Sequence, residues 1–258
     1  MHPILFKIGP LTIHTYGVLL ASAFFLGLAL AVRQGKKEGI LPERIVDLGL
    51  YLLIAAIAGA RLFYILFINP GYYIEHPLNI FKIWEGGLVF YGGLLLGIIT
   101  GIYYIKKKNL PLWKVADIFA PPAAIALAVG RLGCFSAGCC YGRPADLPWA
   151  VTFRDPDSLA RLNIPLHPTQ LYESLGGLLM FLLLIIMKKK KSFDGQLFWS
   201  FVFIYSIIRF IIEFFRGSEI KTMPFGDPLS ISHLIGIPLA VLSVYMLLRL
   251  SKSHRLQD

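Results

Sequence analysis

Seven stretches of this chain are almost free of charge, and clusters of polar or basic residues separate them. An α-helix needs about 20 apolar residues to cross a bilayer. Residues 11–32, 46–68, 88–105, 171–187, 197–215 and 231–248 come within reach of that length. A further run, 115–129, is shorter and carries Pro121 and Pro122. Proline survives in membrane helices where neighbouring groups satisfy the freed carbonyls, so the run counts as a span. The pattern predicts an all-α, polytopic membrane protein of about seven transmembrane helices, with residues 1–258 forming one integral membrane domain.

Composition agrees with the pattern. Hydrophobic residues make up 56% of the 258 and charged residues only 16%, against roughly 25% charged in soluble domains; the mean hydropathy is +0.67. Lys7 is the only charged side chain before the first run, and that run is long enough to span. A cleaved leader wants a basic start and a short apolar core, so the chain is expected to be mature from Met1.

The basic residues orient the bundle. Arg33, Lys36, Lys37 and Arg44 follow the first run, and Lys106, Lys107, Lys108 and Lys114 the third. Lys188 to Lys191 follow the fifth and Arg249, Lys252 and Arg255 the seventh, so fifteen of the 25 lysines and arginines fall on one side. Short cytoplasmic loops carry such an excess, which puts the amino terminus outside and the carboxyl terminus inside. The net charge of +10 follows from this bias and from anionic head groups; it implies no nucleic-acid partner.

Arg131, Arg143, Arg154 and Arg161 then fall in an outer loop, and Arg61 and Arg209 inside spans, where the rule does not want them. An arginine within the membrane costs at least about 2.5 to 3.5 kcal/mol on insertion scales and faces a partner or a watery cavity. Arg209, Glu213 and Arg216 share one helix face, which is either a structural ladder or part of an anion site. His167, in LHPTQLYE, opens the fifth span among Thr169, Gln170, Tyr172 and Glu173. Polar groups at that depth must be satisfied internally.

Glycine and cysteine add detail. Gly93, Gly97 and Gly101 recur every fourth residue, a pattern that lets membrane helices approach closely. Gly86 and Gly87 suit unwound backbone lining a cavity, with Tyr91 pointing into it. Cys134, Cys139 and Cys140 follow a C-x4-C-C spacing, which is not a usual zinc pattern. They read as small packed residues, with a disulfide as the alternative on an oxidising side, and no metal or cofactor is expected.

GRLGCF, EGGLVFYGGLLLG, HPTQLYE and RFIIEFFR, spread along the spans, resemble the prolipoprotein diacylglyceryl transferase family of bacterial inner membranes. The resemblance runs from about residue 11 to residue 248. It implies a multi-pass enzyme of the inner (plasma) membrane that moves a diacylglyceryl group from phosphatidylglycerol to the thiol of a lipobox cysteine. The acceptor would be a prolipoprotein signal peptide; a thioether forms and glycerol 1-phosphate leaves. On this resemblance Arg131 matches the arginine that binds the head group, and Arg209 a second required arginine, with Glu213 and Arg216 beside it. Tyr16, Arg61, Asp117, Gly142 and His167 fall on polar positions of the family or close to its site. Catalytic roles are thereby expected for Arg131, Arg209, Tyr91 and His167, and substrate binding for Arg131, Tyr16, Arg61, Gly142, Glu213 and Arg216.

The chain departs from the family pattern at three places. Tyr91 stands where the best-known members have histidine, Cys134 where asparagine is expected after GRLG, and Cys139 where an acidic residue is expected. A free thiol is mostly protonated at neutral pH. His14, His167 or a water held by Tyr91 are alternatives for its base, and no strong base is needed if arginines lower the thiol's pKa. Two rival readings are a transporter for an anionic solute, which would usually show repeated halves, and a non-catalytic scaffold, which would leave the buried arginines unexplained.

Overall fold

A computed structural model of the chain describes residues 2–9, 11–216 and 231–255. Among the described residues, seven helices of 18 residues or more correspond to the seven apolar runs. These are α1 (Thr15–Lys37), α2 (Pro42–Phe67), α4 (Phe90–Lys107), α5 (Leu112–Ala137), α6 (Thr169–Lys188), α7 (Gln196–Glu213) and α8 (Ile231–Arg255), with a short α3 (Pro70–Glu75) after α2. Six of the seven are long and apolar enough to cross a membrane. The other, α4, spends its last two residues on Lys106 and Lys107. The protein is thus a polytopic, helical membrane protein.

Two local expectations change. The first span does not begin at residue 11, because Leu11–His14 forms strand β2 and pairs antiparallel with β1 (Ile4–Ile8) before α1 starts at Thr15. A second small ladder joins β3 (Val151–Thr152) to β4 (Pro165–Leu166). The fourth helix also runs two turns past residue 129. Pro121 and Pro122 lie inside it without ending it, and the chain leaves the helix at Gly138, whose φ of +76° suits the left-handed conformation that commonly closes a helix. Arg131 therefore sits within α5 and not in the loop after it.

The chain gathers into two compact units, Met1–Leu30 with Ala116–Asp258, and Ala31–Val115. In the smaller unit α2 packs on α4 through glycine. A side chain on Gly59 or Gly92 would strike the facing backbone, and one on Gly93 would come within 2.6 Å of the Ala56 carbonyl oxygen. A Cβ on Gly101 would come 3.3 Å from Leu52, whereas Gly97 has open space beside it, so of the every-fourth-residue set Gly93 and Gly101 face α2, joined there by Gly59 and Gly92, and Gly97 does not.

In the larger unit Gly176 and Gly177 on α6 do the same work in two directions. An added Cβ at Gly177 would lie 3.0 to 3.2 Å from the α5 backbone at Ala124 and Ala128, and one at Gly176 would meet Ile208 of α7. Ala120, Ala124, Met180, Leu184 and Leu197 form the buried seam between these helices. Such packing matters because lipid supplies no hydrophobic drive for helices to associate. At the lysine-rich end, Asp117 of α5 accepts from the Gly195 and Phe198 amides at 2.8 and 2.9 Å. It thereby caps α7, whose own cap residue, Gly195, has no side chain to offer. Lys191 neutralises the buried carboxylate at 3.0 Å.

Candidate active site

The last turns of α5, the first of α6 and the last of α7 bring three arginines onto one carboxylate. Arg131 Nε lies 2.5 Å from Glu173 Oε2. Arg209 Nη1 and Arg216 Nη1 lie 3.4 and 3.5 Å from Glu173 Oε1. Arg209 also reaches Glu213 at 2.7 Å, one helical turn on, and donates from Nη2 to Ser232 Oγ at 3.0 Å. Glu173 is only 4% exposed and Glu213 7%, while the arginines keep 16 to 23%. Counting guanidiniums and carboxylates alone, three against two put positive charge in excess by one in a poorly hydrated place. Guanidinium forks suit carboxylate and phosphate oxygens alike, so the cluster is built to accept an anion. The phenol of Tyr205, on the same helix as Arg209, lies within electrostatic reach of Glu173 and all three arginines.

A backbone platform ties the cluster to the loop that precedes α6. Gly142 pairs with Arg216 in an isolated antiparallel bridge. Its amide donates to the His167 carbonyl at 2.9 Å, and the Arg143 amide to the Phe215 carbonyl at 3.0 Å. A side chain at Gly142 would strike the Phe215 carbonyl oxygen and come within 2.5 Å of His167 Cβ. Gly142 is thus placed by sterics, since only glycine lets residues 140–143 lie against the end of α7.

Beside this platform an open groove of about 880 Å³ is lined by Arg143, Trp149, His167, Tyr172 and Phe215, among others. His167 Nδ1 faces the Tyr172 hydroxyl at 3.2 Å, and that hydroxyl accepts from Trp149 Nε1 at 2.8 Å. Burial, then the Arg143 charge, hold the His167 imidazole below its ordinary pKa. The ring is therefore neutral at pH 7 and has a lone pair with which to take a proton.

Three thiols lie next to Arg131. Cys134, Cys139 and Cys140 are free and their sulfur atoms all lie within 4.8 Å of one another, so the disulfide alternative is not realised and the trio could hold a soft metal ion. Arg131 Nη1 is 4.0 Å from Cys134 Sγ. The Cys140 thiol is pulled well below the usual range by hydrogen bonds from Cys134 and Cys139, then by the charges of Arg216 and Arg131. Cys139 is pushed up correspondingly by its bonds to Cys134 and Cys140. Tyr16, 38% exposed, lies within electrostatic reach of the three cysteines and Arg131, and its ring abuts Gly133.

Tyr16, Arg131, Gly142, His167, Arg209, Glu213 and Arg216 therefore belong to one unit, with Glu213 serving as an ion-pair partner. Arg61 and Tyr91 belong to the other. Arg61 donates to the carbonyls of Ile80, Gly86, Asn79 and Lys82 at 2.6 to 3.2 Å, and its guanidinium lies 5.1 Å from the centre of the Tyr73 ring. Its donors are spent on the loop before α4. Gly86 and Gly87, with φ of +88° and +72°, turn their carbonyls to it. The doubled glycine thus lines an arginine and not a cavity. Tyr91 lies in the first turn of α4, 47% exposed, with its ring edge-on to Phe90.

Three residues that the sequence marks only as polar neighbours of His167 take specific roles. Glu173 is the hub of the cluster, and its signal was an acidic side chain one turn inside an apolar helix. Thr169 and Gln170, both fully buried, fasten the Cys140 and Cys139 carbonyls at 2.7 Å each.

A helical membrane protein with an anion site walled by arginines and a groove alongside it defines a class, membrane-embedded enzymes and carriers of anionic substrates, and the comparisons narrow it. The profile of the prolipoprotein diacylglyceryl transferase family matches residues 3–249. A phosphatidylglycerol–prolipoprotein diacylglyceryl transferase of Geobacter sulfurreducens is 36% identical over 253 residues, 97% of this chain and 95% of its own. Proteins of the same name from Bordetella avium and Bacillus velezensis are each 35% identical, covering 91% and 96% of this chain and 91% and 92% of their own lengths. The chain belongs to the prolipoprotein diacylglyceryl transferase family. It is an enzyme of the transferase class, and the transporter reading finds no support in its relatives.

Proposed function

We propose that the protein transfers the diacylglyceryl group of phosphatidylglycerol to the thiol of a lipobox cysteine in a prolipoprotein signal peptide, at the outer face of the bacterial inner membrane. The observation that carries this reading is the convergence of Arg131, Arg209 and Arg216 on Glu173 with one positive charge in excess. A phosphodiester brings one negative charge to that place. When the bond between the glyceryl carbon and the phosphate oxygen breaks, the departing glycerol 1-phosphate gains a second. Fixed cations in a water-poor site favour the state in which that charge develops.

In the step itself the acceptor S–H gives its proton to neutral His167. The sulfur then bonds to the glyceryl carbon, and the electron pair of the C–O bond leaves with the phosphate. The groove holding His167, Tyr172 and Trp149 is the place assigned to the acceptor peptide. Seven spans, an outer amino terminus, an inner carboxyl terminus and a single membrane domain complete the reading. It is supported by the one-sided lysine and arginine clusters at 33–44, 106–114, 188–191 and 249–255.

The test is reconstitution of the purified protein into vesicles with a lipobox peptide, following thioether mass gain and release of glycerol 1-phosphate. Transfer in vesicles containing phosphatidylglycerol and none in vesicles of phosphatidylethanolamine alone is the expected result. Equal transfer from both lipids would overturn the head-group assignment.

A further inference from the structure

The diacylglyceryl transfer proposed above uses none of the chain's own thiols, because the acceptor supplies the nucleophile. The three cysteines are nevertheless placed with care. Cys134 lies in the last turns of α5, and Cys139 and Cys140 immediately follow the helix end. The chain doubles back through two left-handed residues, Gly138 at φ +76° and Cys140 at φ +59°. A non-glycine residue there costs on the order of 1 to 3 kcal/mol and persists only where its surroundings enforce it. Here they do. The Cys139 amide donates to the Cys134 carbonyl at 3.1 Å, and the buried side chains of Gln170 and Thr169 hold the carbonyls of Cys139 and Cys140. The outcome is three sulfur atoms all within 4.8 Å of one another.

That spacing fits a metal ion with little adjustment. With a metal–sulfur bond of about 2.3 Å, sulfurs on one tetrahedral or trigonal ion lie about 3.8 to 4.0 Å apart. Small rotations of the side chains close the remaining gap, because the backbone is already fastened. Three donors also exceed what a disulfide would use. The spacing in sequence gave no sign of this, because C-x4-C-C becomes a compact donor set only through the two left-handed turns.

We propose that Cys134, Cys139 and Cys140 form a binding site for one thiophilic divalent cation of the zinc class, with its remaining coordination position open to water. Binding exchanges the thiol protons for the metal, so it releases protons and tightens as pH rises. It fastens the end of α5 to residues 139 and 140, whose carbonyls Gln170 and Thr169 of α6 already hold, and so raises stability.

The test titrates cadmium, and zinc in competition, into the full-length reduced and metal-stripped protein in detergent. The readouts are the ultraviolet thiolate-to-cadmium band, alkylation of each cysteine by mass spectrometry, and the thermal midpoint. The expected result is a band saturating at one equivalent, protection of all three cysteines together, a higher midpoint and displacement of cadmium by zinc. Cys134→Ser, Cys139→Ser and Cys140→Ser should each weaken binding by at least about tenfold, the loss that even changes outside the ligand shell bring. Unchanged alkylation of the wild-type protein at saturating cadmium would overturn the proposal whether or not the variants fold. So would a band that survives the triple serine variant, or a disulfide between two of the three cysteines trapped in the protein as it leaves the membrane.

Discussion

Arg131 and Glu173 meet at 2.5 Å, one from the end of α5 and one from the start of α6. The contact does two jobs. It lets α5 carry a cation two residues past the end of its apolar run, and it aims the guanidinium at the point where Arg209 and Arg216 also arrive. Glu173 holds three like charges together, and an arriving anion completes their neutralisation.

Glu173→Gln should therefore be costly. Removing one partner of a buried ion pair typically destabilises by about 3 to 5 kcal/mol, because the remaining charges are left uncompensated. A clear fall in the thermal midpoint of the detergent-solubilised protein is expected. An unchanged midpoint would mean that the three arginines do not depend on this carboxylate.

Glycine variants separate close approach from mere repetition. At Gly142 an added methyl meets the Phe215 carbonyl and His167, and overpacking of this kind costs typically about 1 to 3 kcal/mol. Gly142→Ala should lower both stability and transfer. Gly97→Ala, with open space beside it, should leave both near wild type. Similar behaviour of the two variants would argue against the platform as described.

Arg61→Lys tests a structural role. The planar fork of arginine serves five carbonyls across the loop before α4, and an ammonium is a point charge that cannot span them. The variant should become more sensitive to proteolysis between residues 76 and 89. Protease resistance equal to wild type, with loss of lipid binding, would move Arg61 to the substrate instead.

The depressed pKa of His167 makes stability depend on pH in a defined direction. In the unfolded chain the imidazole takes up its proton near pH 6.5, whereas in the folded protein it does so lower. Above about 6.5 both states are neutral and the contribution is fully present. As pH falls from there towards the folded value, the unfolded state binds the proton first and stability is lost. Thermal midpoints of the wild type and of His167→Gln across this window should diverge in slope, with the variant flatter. Parallel curves would contradict a neutral, buried His167.

How much of this was legible in the sequence depended on the range of the cause. The helices were readable because an apolar run long enough to span is a local property, and all seven runs became helices. The continuation of α5 was not, because Gly130, Arg131 and Gly133 look like a boundary until Glu173 is brought alongside. Likewise Leu11–His14 reads as apolar and joins the first span in the sequence, yet it pairs with Ile4–Ile8. Arg131 and Arg209 were conspicuous as cations in the wrong place, and Arg216 as a neighbour of Arg209 on one helix face. Their common partner, the fastening of Cys139 and Cys140 by Gln170 and Thr169, and the spending of Arg61 on backbone all depend on contacts far apart in sequence.

The basic clusters make the proposed orientation in the membrane testable. A reporter fused after Lys190 should read as cytoplasmic and one inserted near Asp157 as external. The opposite result would put the arginine cluster on the side away from exported substrates and remove the proposed acceptor.

The most direct test of the central claim is transfer by Arg131→Ala and Arg131→Lys in vesicles containing phosphatidylglycerol, with folded yield measured first. The account predicts that alanine abolishes thioether formation while the protein still inserts, and that lysine rescues it poorly, since a point charge does not replace a fork on phosphate oxygens. Near-normal transfer by a folded Arg131→Ala protein would contradict the assignment of this cluster to the lipid head group.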